Sequence, residues 1–491
     1  MKYVLCFFLF LLLIIINPPK VDAQSVAVQN RYGLSFETTG LASTAARTPF
    51  WFQANQYGIV PTEGYFLSTR LGVQVNYQRD TTKKQIRLLD WGAGFYGVAN
   101  VAKQPQLLLP EAYLKVRLGK IEAWGGRRRE LYGLLGDSTL SSGSYSWSGN
   151  AFPITKLQIN TLGFVEIPFT KKLIAFSATF AHGWFGDLVI PSNYDVSIAP
   201  TFLHQKSLYI RLGKPTAKLR LYGGFMHNVM WGSEDKIWDY SGLTPRVAFK
   251  EVLVGGSWQS SRVGNHLGNL DFGLEYALPA WTLLMQRQFV YEAGALGRLT
   301  NLADGLNSIT LKRRGTARQN GQVSLKTLLL EILNTNSQGG DVFDFASGQF
   351  GRENYFNHYL YQQGWSFKNR IIGTPFMTSN NEIKKELSIP AGYATANNRV
   401  LLIHLGVSGV YKTNEFLAKL SYSANQGIYG IVFSPKLSQF SGLFSLSRPT
   451  PWLQGSVLRI SLATDFGQLL NNSTGIMLGL QKTINPAQKH K

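Results

Sequence analysis

The chain has a single cysteine, Cys6, among 491 residues. It lies inside an N-terminal segment expected to be removed, and too early to serve as a lipoprotein anchor. The mature protein therefore has no disulfide, no thiolate nucleophile and no cysteine-based metal site. Charge is also scarce. Only 16% of residues are Asp, Glu, Lys or Arg, which is lean for a soluble protein of this size. Acidic residues are the scarcer kind, 28 against 49 basic. Long apolar runs are missing as well. The one uninterrupted run, residues 4–16, spans 13 residues, too short and too N-terminal for a membrane-crossing helix. With no second such run, a polytopic helical membrane protein is excluded.

That run has the layout of a targeting segment. Lys2 supplies the basic start, Pro18-Pro19 break the apolar stretch, and Val21-Asp22-Ala23 form a small-residue cleavage signal. The segment 1–23 is read as a signal peptide, with Gln24 as the mature N-terminus. Removing Lys2, Lys20 and Asp22 leaves 47 basic and 27 acidic residues, a net charge of about +20. A basic balance attracts nucleic acid, an anionic membrane surface or an acidic polymer. Export argues against nucleic acid and leaves acidic polysaccharide and outer-membrane lipid.

What is present is aromatic residues at 13%, 49 glycines and a recurrent period-two alternation. Leu71, Val73, Val75 and Tyr77 oppose Arg70, Gln74 and Asn76. Leu114, Val116 and Leu118 oppose Tyr113, Lys115 and Arg117. The same pattern sets Leu208, Ile210 and Leu212 against Tyr209 and Arg211, and Leu420 and Tyr422 against Lys419 and Ser421. Leu458, Ile460 and Leu462 oppose Arg459 and Ser461. Export combined with basic residues on the polar face favours a transmembrane antiparallel β-barrel over a soluble sandwich, the apolar face meeting lipid and the basic face the lumen. Residues 24–491 allow roughly 16–20 strands with little helix, and closure removes every sheet edge. The final strand is expected to end near Ile484, before a basic tail with no terminal aromatic.

Two stretches break the strand rhythm. Residues 24–64 read as a periplasmic or plug-like N-terminal segment. In residues 324–334, Leu325, Leu328, Leu329, Ile332 and Leu333 recur at helical spacing behind Ser324, a candidate N-cap. This predicts a short helix in or beside the lumen, with a lipid-facing strand as the alternative.

Gly92-Ala93-Gly94-Phe95-Tyr96-Gly97 matches a dinucleotide fingerprint but lies in a strand region rather than between a strand and a helix. Its glycines are read as relieving crowding in a curved sheet. No two of His182, His204, His227, His266, His358 and His404 have close metal-ligand spacing, and H-E-x-x-H and G-x-S-x-G are absent. No cofactor, metal or catalytic residue is expected, and a rim-located hydrolase remains the least favoured alternative.

The candidate binding residues come from two places. Arg127, Arg128 and Arg129 form the densest basic cluster, suited to bidentate carboxylate recognition or to internal pairing with Glu130 and other acids. Residues 353–376 (ENYFNHYLYQQGWSFKNRIIGTPF) mix aromatics with amides and cations. They read either as a barrel girdle and loop or as a surface that stacks on sugar. The candidates here are Tyr355, His358, Tyr359, Trp365, Lys368 and Arg370.

An ordered set of fragments also resembles a known family. The set is TPFWFQANQYG at 48–58, LSSGSYSWSGNAFPITKLQI at 140–159, HGWF at 182–185 and FLHQKSLY at 202–209. It continues with NHLG at 265–268, DGL at 304–306, EILNTNSQ at 331–338, NYF at 354–356 and GWS at 364–366. Their order and spacing are similar to the Wzi-type capsule assembly proteins, in the form common in Bacteroidetes-like bacteria. The resemblance implies an 18-stranded outer-membrane barrel, inserted by the barrel insertion machinery. It implies a non-enzymatic, lectin-like role in retaining capsular or other exopolysaccharide at the cell surface. Better-studied members also carry a periplasmic helical portion, for which this sequence shows little helix. The family's sugar contacts lie in divergent loops, so no binding residue transfers from it. A porin-like channel for anionic solutes is the main alternative function.

Overall fold

A computed structural model of the chain describes residues 31–484 apart from 79–87, 135–136, 192–195, 233, 238–241, 259–260, 293, 316–320, 345–346, 348 and 391. The predicted signal peptide and the basic tail lie outside the described residues. The fold is a closed antiparallel barrel of 18 strands. In chain order these are β1 Tyr32–Arg47, β2 Glu63–Val75, β3 Leu89–Val101, β4 Gln106–Leu118, β5 Ile121–Arg127 and β6 Thr155–Thr161. Then come β7 Ile174–Val189, β8 Ile198–Leu212, β9 Leu219–Trp231, β10 Asn265–Ala277, β11 Trp281–Tyr291 and β12 Gly305–Arg313. The last six are β13 Val323–Asn334, β14 Val400–Tyr411, β15 Asn414–Ile428, β16 Ile431–Thr450, β17 Ser456–Gly467 and β18 Ser473–Ile484. Strand β18 pairs back onto β1, from Leu34 opposite Ile484 to Ser43 opposite Gly475.

The alternation sorts the residues as the pattern predicts. Leu71, Val73, Leu114, Val116, Leu420 and Leu462 are exposed on the outer face, while Arg70, Lys115, Arg117, Lys419 and Ser461 are buried inside. Tyr77 is an exception: its hydroxyl donates to Glu122 at 2.7 Å, so it packs inward rather than with Leu71 and Val73. The G-x-G-x-x-G stretch lies within β3. A Cβ at Gly94 would stand 2.4 Å from the Tyr113 ring, so this glycine makes room for a lumen aromatic.

Residues 324–334 belong to strand β13, not to a helix. The helical spacing has a physical origin. The β13–β14 register skips Lys326 between Leu325 and Thr327, a bulge that puts Leu325 and Leu328 on the same face although they are three apart. Leu329 and Leu333 are buried on the other face, against material inside the barrel. The N-terminal stretch also divides. Residues 32–47 are barrel strand β1, and residues 48–62 turn into the lumen through a single helical turn, Phe50–Gln53. Among the described residues the longest helix, α1, is Pro245–Val254, and no helix is long and apolar enough to cross a membrane.

One barrel end carries Tyr32, Ile484 and the tight turns 119–120, 278–280 and 412–413. The other carries the long segments 48–62, 128–154, 232–264 and 335–399. The long-segment end corresponds to the extracellular face of outer-membrane barrels. Three of these segments fold back into the lumen as a plug. Glu331 on β13 anchors one of them, accepting from Ser141 Oγ at 2.8 Å and from the Ser142 backbone N–H at 2.7 Å. Trp51 Nε1 donates to Ser421 on β15 at 3.2 Å, and Tyr145 N–H donates to Gln288 on β11 at 3.1 Å. The segments also bind each other: Asn150 Nδ2 donates to Ile371 O at 3.0 Å and Ser148 Oγ to Gly373 O at 2.6 Å. A single apolar cluster joins Trp51, Tyr145, Trp147, Tyr355, Tyr361 and Trp365.

Glu331→Ala would strand the buried donors of Ser141 and Ser142. The expected cost is about 3 kcal/mol, read as a lower urea midpoint of the vesicle-inserted barrel. An unchanged midpoint would remove Glu331 as the anchor of the 128–154 segment.

Candidate functional site

The nine sequence candidates separate into three environments. Arg128 and Arg129 are committed to internal pairs. Arg128 Nη1 donates to Glu122 at 2.7 Å and lies over the Tyr113 and Trp124 rings. Arg129 Nη2 donates to Glu111 at 3.0 Å and stands 4.1 Å from the centre of the Tyr96 ring. Both carboxylates project inward from the neighbouring wall strands and are almost fully buried. Glu130 is taken in turn by Lys156, at 2.6 Å. For these two arginines the internal-pairing reading is the one observed.

Tyr355, Trp365 and Arg370 are plug interior. Tyr355 and Trp365 are 0% exposed, so a sugar ring cannot stack on them in this structure. The Tyr355 hydroxyl donates to Asp304 at 2.9 Å and accepts from Asn301 at 3.0 Å. Arg370 Nη2 donates to Gln53 Oε1 at 2.6 Å and Nη1 to Glu382 at 3.3 Å, tying residues 335–399 to residues 48–62. These aromatic and amide residues are there because a plug must fill a wide lumen and satisfy its own backbone. His358 is partly buried, and its Nδ1 accepts from the backbone N–H groups of Leu360 and Tyr361 at 3.2 Å. Burial lowers its pKa to about 4, and an Nδ1 that accepts two hydrogen bonds likewise favours the neutral ring. Tyr359 stacks on His358 at 4.6 Å and is 57% exposed.

Arg127 and Lys368, 241 positions apart in the chain, are brought onto one ring. Arg127 lies 5.1 Å and Lys368 4.3 Å from the centre of Phe152. Strands β5 and β6 make this meeting possible. Each has 7 residues, between neighbours of 13 and 16. Their pairing stops at Ala112 opposite Arg127 on one side and at Thr155 opposite Trp184 on the other. The wall therefore steps down, and the edges of β4 and β7 continue above it. Arg127 spans the step, donating to Leu109 O and to Thr155 Oγ1, each at 3.1 Å. Its Nε has no hydrogen-bond partner. A small plug hairpin, Ser366–Phe367 paired with Arg370–Ile371, carries exposed Lys368 and Asn369 at its tip. Desolvation and the adjacent Arg127 lower the Lys368 pKa. Neither cation forms an ion pair among the described residues. Two uncompensated cations on an aromatic ring suit an oxyanion.

Sequence reasoning selected Arg127 and Lys368 but missed Phe152. The available signal was a phenylalanine before Pro153 in an otherwise Ser- and Gly-rich stretch. Among the described residues no group of three or more His, Cys, Asp or Glu is placed to hold a metal ion.

Plug seating is expected to depend on pH through Glu292. Glu292, just after β11, accepts from Phe356 N–H at 2.9 Å and from the Tyr145 hydroxyl at 3.1 Å. Burial pushes its carboxyl well above the ordinary carboxylate range. The folded state thus holds the proton more tightly than the unfolded state. This contribution to stability is complete below the unfolded pKa and is lost as pH rises through the folded value. Protease cleavage within residues 335–399 should increase from pH 4 toward neutral, and Glu292→Gln should flatten that rise. An identical pH profile for the variant would discount Glu292.

No protein-family model matches the chain, and no curated protein matches it. Solved structures do. One is Wzi of Escherichia coli, described as an outer membrane protein involved in group 1 capsule assembly and a carbohydrate-binding β-barrel. It matches with a TM-score of 0.54 at 14% identity, over 92% of this chain and 84% of that one. OccAB4 of Acinetobacter baumannii matches with a TM-score of 0.43 at 11% identity, over 93% and 99% of the two chains. OccK5 (OpdH) of Pseudomonas aeruginosa gives 0.44 at 13% identity, over 92% and 98%. At these identities the likeness is one of fold: the chain is similar to outer-membrane β-barrels.

Proposed function

We propose that this chain is a non-enzymatic outer-membrane protein, exported through its cleaved N-terminal segment, that binds and anchors a capsular or other surface polysaccharide. The observation that carries this reading is the plug. Three chain segments fold into the lumen from the long-segment end, and the hairpin of one brings Lys368 beside Arg127 of wall strand β5, both over the buried ring of Phe152. Folded chain inside the lumen narrows the path for solutes, whereas two fixed, uncompensated cations at its mouth suit an acidic polymer. Each contact with an acidic sugar is weak, and the repeating units of the polymer multiply it into firm attachment. The similarity to a carbohydrate-binding barrel supports the same reading.

Within this proposal, Arg127 and Lys368 meet acidic groups of the polymer, and Tyr359 with His358 offers an exposed stacking face. Arg128, Arg129, Tyr355, Trp365 and Arg370 act indirectly, by holding the plug in place. A porin-like role for anionic solutes is the competing reading and requires an open path past the plug.

Two measurements separate them. The purified barrel in planar bilayers is expected to show no large, stable conductance; a steady anion-selective current would favour the channel. On immobilised acidic polysaccharide, Arg127→Ala with Lys368→Ala should weaken binding about tenfold, in line with about 1–2 kcal/mol for charge-assisted contacts. Added salt should erase the difference. Equal binding by the double variant and the parent would remove these two residues from the site.

A further inference from the structure

The outer wall carries one sector that does not look like lipid-facing surface. On β9, Met226, Asn228 and Met230 face inward: Met230 accepts from Gln363 of the plug, and Asn228 accepts from Gln205. Alternation then puts His227, Val229 and Trp231 on the outer face. On β10, Asn269 and Asp271 take hydrogen bonds from residues 146 and 134 inside, so His266 points outward. On β8, Gln205 faces in, and Phe202, His204 and Lys206 face out. Outer positions lower on the same strands are exposed, Leu208 at 37% and Phe225 at 38%. Yet His204, Val229 and Trp231 are 0%, 0% and 7% exposed.

The cover is the later part of the 232–264 segment, Leu243, helix α1 and Val263, which lies against the outside of the barrel, whereas Glu234 and Ile237 at the start of the segment pack with the plug. Its helix α1 starts cleanly, with Thr244 as N-cap accepting from Val247 N–H and Pro245 in the first turn. It ends at Gly255 in the left-handed region, φ 72°. Ala248 and Val252 pack with Leu243 and Val263 onto Val229 and Trp231. The Phe249 ring meets His182, His204 and Trp231 at 5.6, 6.2 and 5.4 Å. The Lys206 ammonium donates to Leu253 O in the last turn, where a cation also complements the helix dipole. The side turned away from the barrel carries Arg246 and Lys250, one turn apart, both exposed and neither in an ion pair among the described residues. Val254, 71% exposed, follows them.

A short helix with an apolar seat, two outward cations and a bare valine, fixed at the long-segment end of the barrel, has the layout of an interfacial contact. We infer that α1 is a lipid-headgroup contact that holds phosphate-bearing lipids on Arg246 and Lys250. The aromatic and histidine seat on β7–β10 exists to hold this helix at that depth. Phosphate is the matching chemistry because it is the anionic group of outer-leaflet lipids and takes charge-assisted bonds from both cation types. This contact is separate from the Arg127–Lys368 pair and stands whether or not that pair binds polysaccharide.

The test uses the full barrel in nanodiscs of phosphatidylcholine containing a minority of phosphatidylglycerol. Lipids that survive extraction into detergent are counted by native mass spectrometry. Arg246→Ala with Lys250→Ala should reduce retained phosphatidylglycerol about tenfold relative to the parent, and leave phosphatidylcholine and thermal unfolding unchanged. The control is Lys214→Ala with Lys218→Ala, an exposed pair in the β8–β9 turn at the opposite end, and it should lose nothing. Unchanged phosphatidylglycerol in the α1 variant overturns the assignment, as does an equal loss in the control. It is also overturned if the α1 variant keeps its lipid but loses binding to immobilised acidic polysaccharide, which would make the helix a polymer contact.

Discussion

The β1–β18 ladder is the constraint on which everything else rests. Hydrocarbon offers no hydrogen bonds, so a sheet in a membrane has to pair its first strand with its last. The register from Leu34–Ile484 to Ser43–Gly475 does this. Closure with 18 strands fixes a lumen too wide for wall side chains alone to fill. The inward faces of β2, β4, β13 and β15 then meet either water or more protein. Here they meet protein, which is why Lys419 is buried over the Trp51 ring at 4.4 Å instead of lining a channel.

Filling the lumen with loops has a second consequence. Loop backbone cannot pair with itself as strands do, so polar side chains supply the partners. Asn398 is one instance, donating to Tyr355 O at 2.7 Å and to Asn354 Oδ1 at 2.8 Å. Asp304 is another, accepting from the backbone N–H groups of Ser337 and Gln338 at 2.9 and 2.6 Å. The dense asparagine and aromatic content of residues 335–399 is the composition of a buried loop. It is not in itself the composition of a sugar-binding face.

This explains which parts of the fold were legible in the sequence. The barrel could be read because lipid and lumen impose a period of two on every strand, and the end of the last strand at Ile484 follows from the same rule. Apart from residues 48–62, which fall in the stretch 24–64 read as periplasmic or plug-like, the plug could not be read, because its residues obey no period. Trp365 and Tyr359 look alike in sequence, but one is 0% and the other 57% exposed. Strand β13 misleads because its inner face also packs on protein, so leucines occupy both faces, and the Lys326 bulge turns period two into an apparent three. Arg127, Arg128 and Arg129 are consecutive and chemically identical. Only the three-dimensional positions of Glu122 and Glu111 show that two of them are neutralised and one is not.

The same distinction bears on the basic excess of the chain. A cation paired inside the barrel contributes to folding but little to the outward field, because its partner carboxylate cancels it at distances beyond the pair. Arg70 with Glu37, Arg128 with Glu122 and Arg129 with Glu111 are of this kind. The acidic residues are few, and the plug and lumen take up many of them. The cations without an ion pair among the described residues include Lys115 and Lys419 inside the barrel, Arg127 and Lys368 at the wall step, and Arg246 and Lys250 on the outer helix. A strongly basic composition in this fold need not describe an electropositive pore. It follows from using scarce carboxylates to hold a plug, which leaves cations over at the outward surfaces.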